Sequence, residues 1–354
     1  MASANANLHK AKDAKNDEFY TQLTDVSKEL MHYKEHFKDK SVFCNCDDPT
    51  WSAFWKYFHL NFSELSLKKL ISTHYDREES TYKMEYTGGD DNDIEVGFKT
   101  QLEGNGDFRN QECLDLLDEC DIVVTNPPFS EYRSYVATLI AHDKKFIIWS
   151  NNNSITYKEI FPLLKNNKMW LGYTANKTLT FRIPDYYEKW DEKETTKMND
   201  GHHYAKVPAI SVFTNLDIEK RHEKLILWKN YTPDEYPKYD NYEAINVNKV
   251  SEIPCDYDGV MGVPITYLDS YNPEQFEIVG LGTSRELYTP IKQYINPKKY
   301  FNDGRIVSAN EINSTLTYRI DKSDVKKVYY KADNVDYLLF QPYARILIRR
   351  KVGA

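Results

Sequence analysis

No stretch of the chain is apolar for long enough to cross a bilayer. Its first fifteen residues, Met1 to Lys15, are polar and lack the hydrophobic core of a secretion signal. Those two absences imply a soluble, intracellular protein. Cysteine is scarce: Cys44, Cys46, Cys113, Cys120 and Cys255 make an odd number, with no Cys-x-x-Cys among them. That excludes a zinc spacing and leaves free thiols in a reducing cytoplasm as the simplest account. The adjacent His202-His203 has no third ligand at helical spacing, so no metal is expected. There is no internal repeat and no low-complexity segment. An excess of positive charge is also missing, the formal net charge being −8. This last absence excludes less than the others, because nucleic-acid binding needs a local basic surface and not a basic average.

What is present is a chain of 354 residues, 41% hydrophobic, long enough to bury a sizeable core and to divide into two domains. Acids crowd the stretches from Glu188 to Glu194 and from Asp234 to Asp258. Bases gather at Lys220-Arg221 with Lys224, at Lys298-Lys299, and from Arg345 through Arg349-Arg350-Lys351. Tyrosine is enriched, 28 residues in all, a side chain that can stack on bases as well as cover the edge of a core.

Apolar spacing predicts a helix over 26–37, a strand over 41–44, a helix over 51–62 and a strand over 68–73. A charged insertion or hairpin is expected at 76–99, and a helix from 113. Further helices are expected at 131–141 and 157–165, with strands at 145–149, 169–173 and 210–213. Strands alternating with helices in this way indicate an α/β domain with a largely parallel sheet, over residues 1–224. Beyond that the segments shorten between prolines, and a smaller α+β domain is expected over 225–354.

One stretch stands out. Ile122-Val123-Val124-Thr125 reads as a buried strand, and Asn126-Pro127-Pro128-Phe129 stops it. Neither proline has an N–H for a ladder, so the asparagine falls at the carboxyl end of the strand, where open α/β sheets bind ligands. An exocyclic amine on a nucleobase is a poor nucleophile because its lone pair is conjugated with the ring. Acceptors that hold its hydrogens out of the ring plane free that lone pair, and the Asn126 side-chain oxygen and the Pro127 carbonyl are two such acceptors. Phe129 would stack on the base. The plainer alternative is a proline-terminated strand and a helix-capping turn at Ser130. The tetrapeptide by itself fits amino methylation of adenine in DNA, of guanine in ribosomal RNA and of glutamine in proteins.

More motifs narrow the choice. Asp17-Glu18-Phe19-Tyr20-Thr21-Gln22, Cys44-Asn45-Cys46-Asp47-Asp48-Pro49, Gly106-Asp107-Phe108-Arg109 and the Asn126 tetrapeptide together resemble the EcoRI-type adenine-specific DNA methyltransferases. So do Asn153 to Lys158, Tyr236 to Tyr242, Asn272 to Glu277 and, near the end, Arg345 to Ile348. The resemblance implies a Rossmann-like methyltransferase sheet with a smaller C-terminal α+β target-recognition domain. It implies S-adenosylmethionine as cofactor and duplex DNA as partner, in a monomer of the bacterial or phage-infected cytoplasm. By the same resemblance the catalytic residues are Asn126, Pro127, Pro128 and Phe129, and the relatives suggest a GAATTC target. Cofactor-binding residues would be Phe19, Tyr20, Thr21, Cys44, Asn45, Asp47, Asp107, Phe108 and Asn126. Two departures stand beside it. The loop after the first strand lacks the glycines usual in methyltransferases, and no obvious acid for the cofactor ribose follows the second strand. For the duplex, Lys220, Arg221, Lys224, Arg345, Arg349 and Arg350 are the candidate contacts. An RNA or protein-glutamine methyltransferase, or a DNA-binding protein that has lost catalysis, remain as alternative readings.

Overall fold

Strands covered on both faces are mostly apolar, whereas edge strands need not be. Both kinds occur in the computed structural model, which describes residues 21–76, 80–183, 195–197, 200–283, 289–325, 327–351 and 353. The described residues divide into two units. One comprises those up to Ser154 with Met169–Ile218; the other comprises Ile155–Lys168 with those from Glu219 onward.

The first unit begins with α1 (Leu23–Leu30), a 3-10 turn over Met31–Tyr33, α2 (Lys34–Phe37), β1 (Ser41–Cys44) and α3 (Ala53–Leu60). It continues through β2 (Lys69–Thr73), β3 (Tyr82–Tyr86), β4 (Phe98–Gln101), α4 (Gln111–Glu119), β5 (Ile122–Thr125), α5 (Tyr132–Ala141) and β6 (Lys145–Asn151). The sheet is completed by β7 (Trp170–Leu171), β8 (Lys177–Arg182), β9 (Thr195–Lys197) and β10 (His203–Thr214). Its order is β4-β3-β2-β1-β5-β6-β10-β7, with β8 and β9 also paired to β10. β2, β1, β5 and β6 run parallel, and β1 and β5 are buried at all four positions. The chain passes from β1 outward to β2 and returns to β5 on the other side of β1, so strand order reverses between β1 and β5.

Most expected elements are present within a few residues. The expected helix over 26–37 is interrupted by its 3-10 turn, at Tyr33, whose hydroxyl donates to Glu29 at 2.7 Å. Glu29 is fully buried and also accepts from the Tyr173 and Thr174 amides, so a charged side chain fastens α1 to that loop. The charged segment 76–99 contributes the hairpin β3–β4, and β4, exposed throughout, forms an edge of the sheet. The polar stretch around Arg182 is itself a strand, β8, and β10 starts seven residues before its apolar half. Aromatic rings pack α3 against the sheet and against α2. Phe54 meets Trp149 edge-on at 4.9 Å and Phe58 meets Phe37 at 5.0 Å, each such ring contributing about 1.5–3 kcal/mol by burial.

The second unit contains α6 (Phe161–Lys165) and two sheets. The first has β11 (Ile245–Asn246), β12 (Met261–Pro264), β13 (Phe276–Leu281) and β19 (Arg345–Arg350), in the order β11-β12-β19-β13. The second has β14 (Lys298–Phe301), β15 (Ile306–Ser308), β16 (Tyr318–Ile320), β17 (Val328–Lys331) and β18 (Leu338–Phe340), in the order β15-β14-β17-β18-β16. Asp240 links the segment before β11 to the five-stranded sheet. Its carboxylate, 3% exposed, accepts from Lys292 at 3.0 Å, Arg319 at 2.9 Å, Tyr337 at 2.9 Å and Tyr294 at 3.0 Å. Burial works against its charge, yet those four donors together hold its pKa below the usual carboxylate range.

Candidate active site

Polar side chains lace together the carboxyl ends of the central strands. Thr125, the last residue of β5, donates its hydroxyl to the Asn45 carbonyl just past β1. The Asn45 side-chain oxygen accepts from Thr73 at the end of β2 (3.0 Å) and from the Cys46 amide (2.8 Å), which helps hold Cys46 at a left-handed φ of 60°. Ser72 donates to the Cys44 carbonyl at 3.1 Å and to the Asp47 carbonyl. Asn126 leaves β5 directly after this lacing. Pro127 is buried, while Asn126, Pro128 and Phe129 are half-buried, Phe129 packing against the main core of this unit. The Glu131 amide closes a turn onto the Pro128 carbonyl at 3.0 Å, and α5 begins at the next residue. Glu131 and not Ser130 occupies the helix N-cap, without a side-chain cap bond.

The acidic turn after β1 is built mainly from its own side chains. Asp47 accepts from Ser52 at 2.5 Å, and Ser52 in turn caps α3 through the Trp55 amide at 2.9 Å. Burial, aided by the neighbouring Asp48 charge and opposed by the Ser52 bond, pushes the Asp47 pKa up to about 8. Asp48 accepts from Thr50 and, at 2.8 Å, from the Tyr82 hydroxyl, with His74 at 3.6 Å. Cys44 is fully buried and its thiol pKa is raised, so its side chain is neither exposed nor ionised.

The Gly104–Phe108 turn lies against the end of β2. Gly106 has φ +76°, and a Cβ there would stand 2.0 Å from the His74 carbonyl oxygen; both the conformation and the close approach require glycine. Asp107 is engaged by Arg109, which donates Nε at 2.8 Å and Nη2 at 2.6 Å, and the Arg109 amide adds a third bond at 2.9 Å. The Arg109 hydrogen bonds hold the Asp107 pKa below its ordinary value. Arg109 also reaches Glu131 at 3.3 Å, which ties this turn to the one after Phe129. Phe108 is buried and meets the Tyr135 ring of α5 edge-on at 5.0 Å.

The buried hydroxyls of Tyr135 and Thr21 have no hydrogen-bond partner among the described residues. Burial raises the Tyr135 pKa well above its ordinary value, and Cys46, Cys44, Cys113 and Asp47 add to the effect, which places the ring beside the β1 loop. A buried hydroxyl left unmatched costs about 1–3 kcal/mol, so such groups call for a partner. Phe19 and Tyr20 lie outside the described residues. Sequence reasoning passed over Thr125, Thr73, Ser52, Tyr82, Tyr135 and Arg109. Of these only Arg109 carried a local signal, two residues after an aspartate. Among the described residues no group of three or more His, Cys, Asp or Glu side chains could hold a metal ion.

The six bases proposed for DNA lie in the second unit, and most are engaged there. Lys220 pairs with Asp269, and Arg221 donates to Asn167 at 2.7 Å. Arg345 is buried and donates to Asn246 at 3.1 Å. Arg349 pairs with Glu277 at 3.1 Å, and Arg350 with Asp258 at 2.8 Å. Lys224 is exposed.

Comparison with known proteins agrees with the motifs. A family model described as adenine-specific methyltransferase EcoRI matches residues 7–351. The chain is 47% identical over 292 residues to the Type II methyltransferase M.EcoRI of Escherichia coli, spanning 78% of this chain and 89% of that protein. It is 42% identical over 277 residues to the Type II methyltransferase M.MgeORF184P of Mycoplasma genitalium, spanning 77% and 85%. Identity to the Type II methyltransferase M.MpnI of Mycoplasma pneumoniae is 39% over 275 residues, spanning 77% and 84%. No solved structure matches. With a family match over nearly its whole length and identities of this size, the chain belongs to the EcoRI-type adenine-specific methyltransferases.

Proposed function

We propose that the chain transfers a methyl group from S-adenosylmethionine to the exocyclic amine of an adenine flipped out of duplex DNA. The observation that carries this reading is the position of Asn126, which leaves a central parallel strand where strand order reverses, beside a laced β1 turn. A paired adenine cannot enter such a crevice, so the base must leave the stack. In this reading the Asn126 side-chain oxygen and the Pro127 carbonyl accept the two amine hydrogens and localise the lone pair on nitrogen. Pro128 keeps the turn rigid, and Phe129 stacks on the base. Rate then comes mainly from positioning and exclusion of water.

The cofactor, when bound, supplies an electrophilic methyl group on a sulfonium. The residues present fit it. Thr21 and Tyr135 offer buried hydroxyls without partners among the described residues, and Asp47 offers a carboxyl near the Tyr135 ring. Phe19, Tyr20, the backbone of Cys44 and Asn45, and Phe108 complete the set by resemblance. Asp107 belongs to it as well. Arg109 takes three of a carboxylate's roughly four lone-pair sites, which leaves one for the cofactor's adenine amine.

In the same reading the sheet of the first unit is a Rossmann-like methyltransferase sheet, residues 1–224 form the catalytic domain, and 225–354 read the target in a monomer. GAATTC is the first sequence to try. The test is to incubate the protein with labelled S-adenosylmethionine and a mixture of DNA, RNA and protein, then digest the products. Label on adenine of duplex DNA is expected; label on RNA or on protein glutamine instead would contradict the proposal.

A further inference from the structure

The five-stranded sheet of the second unit has one buried face and one open face. Tyr330 and Leu339 point into its core, 2% and 0% exposed. Residues directly opposed across antiparallel strands share a face, so the pairing fixes what lies on the other side. Lys298 is opposed to Ser308 on β15 and to Lys331 on β17. Two positions along, Tyr300 is opposed to Ile306 and Tyr329. The open face therefore carries a polar row, Ser308-Lys298-Lys331, and beside it an apolar row, Ile306-Tyr300-Tyr329. The two tyrosine rings stack at 5.0 Å with 7° between their planes, and the Lys331 ammonium lies 5.3 Å from the Tyr300 ring.

The lysine pair is the informative feature. Like charges directly opposite each other destabilise a sheet. Lys298 and Lys331 are both exposed, and neither is ion-paired among the described residues. They line a cleft of about 580 Å³ together with Tyr300, while its acids, Asp321, Asp333 and Asp336, sit in the turns after β16 and β17. Thirteen lysines and arginines face six acids between residues 289 and 351, in a chain whose net charge is −8. An anion laid across the polar row removes the repulsion.

We infer that the open face of β15-β14-β17 is a docking surface for the sugar–phosphate backbone of duplex DNA, with Lys298 and Lys331 on phosphates and the Ile306-Tyr300-Tyr329 row against sugars. This rests on duplex DNA being the substrate. It moves the phosphate contacts from the paired bases to lysines that have no ion-pair partner among the described residues. Sheet faces are an established kind of DNA-contacting surface.

The test measures duplex affinity by fluorescence anisotropy over a salt series, for the wild type and for Lys298→Gln combined with Lys331→Gln. The DNA is one duplex containing GAATTC and one lacking it. Each phosphate contact contributes about 0.9 to the slope of log affinity against log salt, so the double variant should lose about 1.8 in slope on both duplexes. S-adenosylmethionine affinity by calorimetry and the melting curve by circular dichroism, measured on the same samples, should both be unchanged and show that the variant is folded. Lys38→Gln combined with Lys168→Gln, which removes equal charge elsewhere, should leave the slope unaltered. An unchanged slope in the Lys298/Lys331 variant, or an equal loss in the control, overturns the surface assignment alone. A wild type that binds neither duplex overturns the proposed substrate, and the surface falls with it.

Discussion

The strand-end corner of the first unit and the basic residues of the second are polar for opposite reasons. At the corner, the polar groups are matched to neighbours fixed by the backbone: Thr125 to Asn45, Asn45 to Thr73, Ser52 to Asp47. What remains unmatched beside it is the buried Tyr135 hydroxyl, which has no partner among the described residues and which a ligand can use. In the second unit, the bases that look available in the sequence are largely spent inside the fold, and the unspent charge lies on a sheet face. A motif held by local backbone geometry announces itself; a charge is available only if no distant carboxylate has claimed it.

Four experiments can break or sharpen that contrast. A large effect is expected from Asp240→Ala, which strips the acceptor from two tyrosines and two cations at once. Urea unfolding should show a loss of about 3 kcal/mol. Because the folded pKa is depressed, the stabilisation is present above the unfolded carboxylate value and fades as pH falls through the folded one. A loss below about 1 kcal/mol would mean that the network is ornamental.

Asp47 should act in the opposite sense. Its folded pKa of about 8 lies above that of a carboxyl in the unfolded chain, so the folded state keeps a proton that the unfolded state loses. Stability from this group is full at low pH and falls as pH rises between roughly 4 and 8, by at most about 1.4 kcal/mol per pH unit. Melting curves of Asp47→Asn, which has no proton to lose, should diverge from the wild type as pH rises. Parallel curves would place Asp47 in a wetter setting than the β1 turn provides.

Tyr135→Phe carries two signs. Removing an unmatched buried hydroxyl should stabilise the cofactor-free protein by about 1 kcal/mol, yet weaken S-adenosylmethionine binding roughly five- to tenfold. Weakened binding without the gain in melting temperature would mean that the hydroxyl already has a partner. The smallest effect is expected from Lys220→Gln. Its ammonium is already on Asp269, so the salt dependence of DNA binding should change by less than about half of one phosphate contact. A full contact's loss would return the DNA surface to the paired bases.

The contrast also explains how far the sequence could be read. Ile122-Val123-Val124-Thr125 followed by two prolines specifies its own strand and its own end, and Gly106 specifies its own turn, because the constraint lies in the residues themselves. The lacing partners escaped notice because they are ordinary hydroxyls brought together by parallel pairing: Thr125 meets Asn45 across 80 positions. The partners of Lys220, Arg345 and Arg350 lie 49, 99 and 92 positions away, distances over which a sequence shows no pairing signal. The segment over 282–340 was the least legible. Its strands are three or four residues long, and their faces emerge only once β14 is paired with both β15 and β17.

Methyl transfer depends on Asn126 acting on the amine and not merely ending a strand. Single-turnover methyl transfer by Asn126→Ala to a duplex that the wild type methylates, at saturating cofactor and DNA, tests this most directly. The expected result is a rate lower by about 10³-fold or more, with DNA and cofactor affinities within about threefold of the wild type, since the lost contact matters mainly in the transition state. Transfer within about tenfold of the wild-type rate would contradict the account.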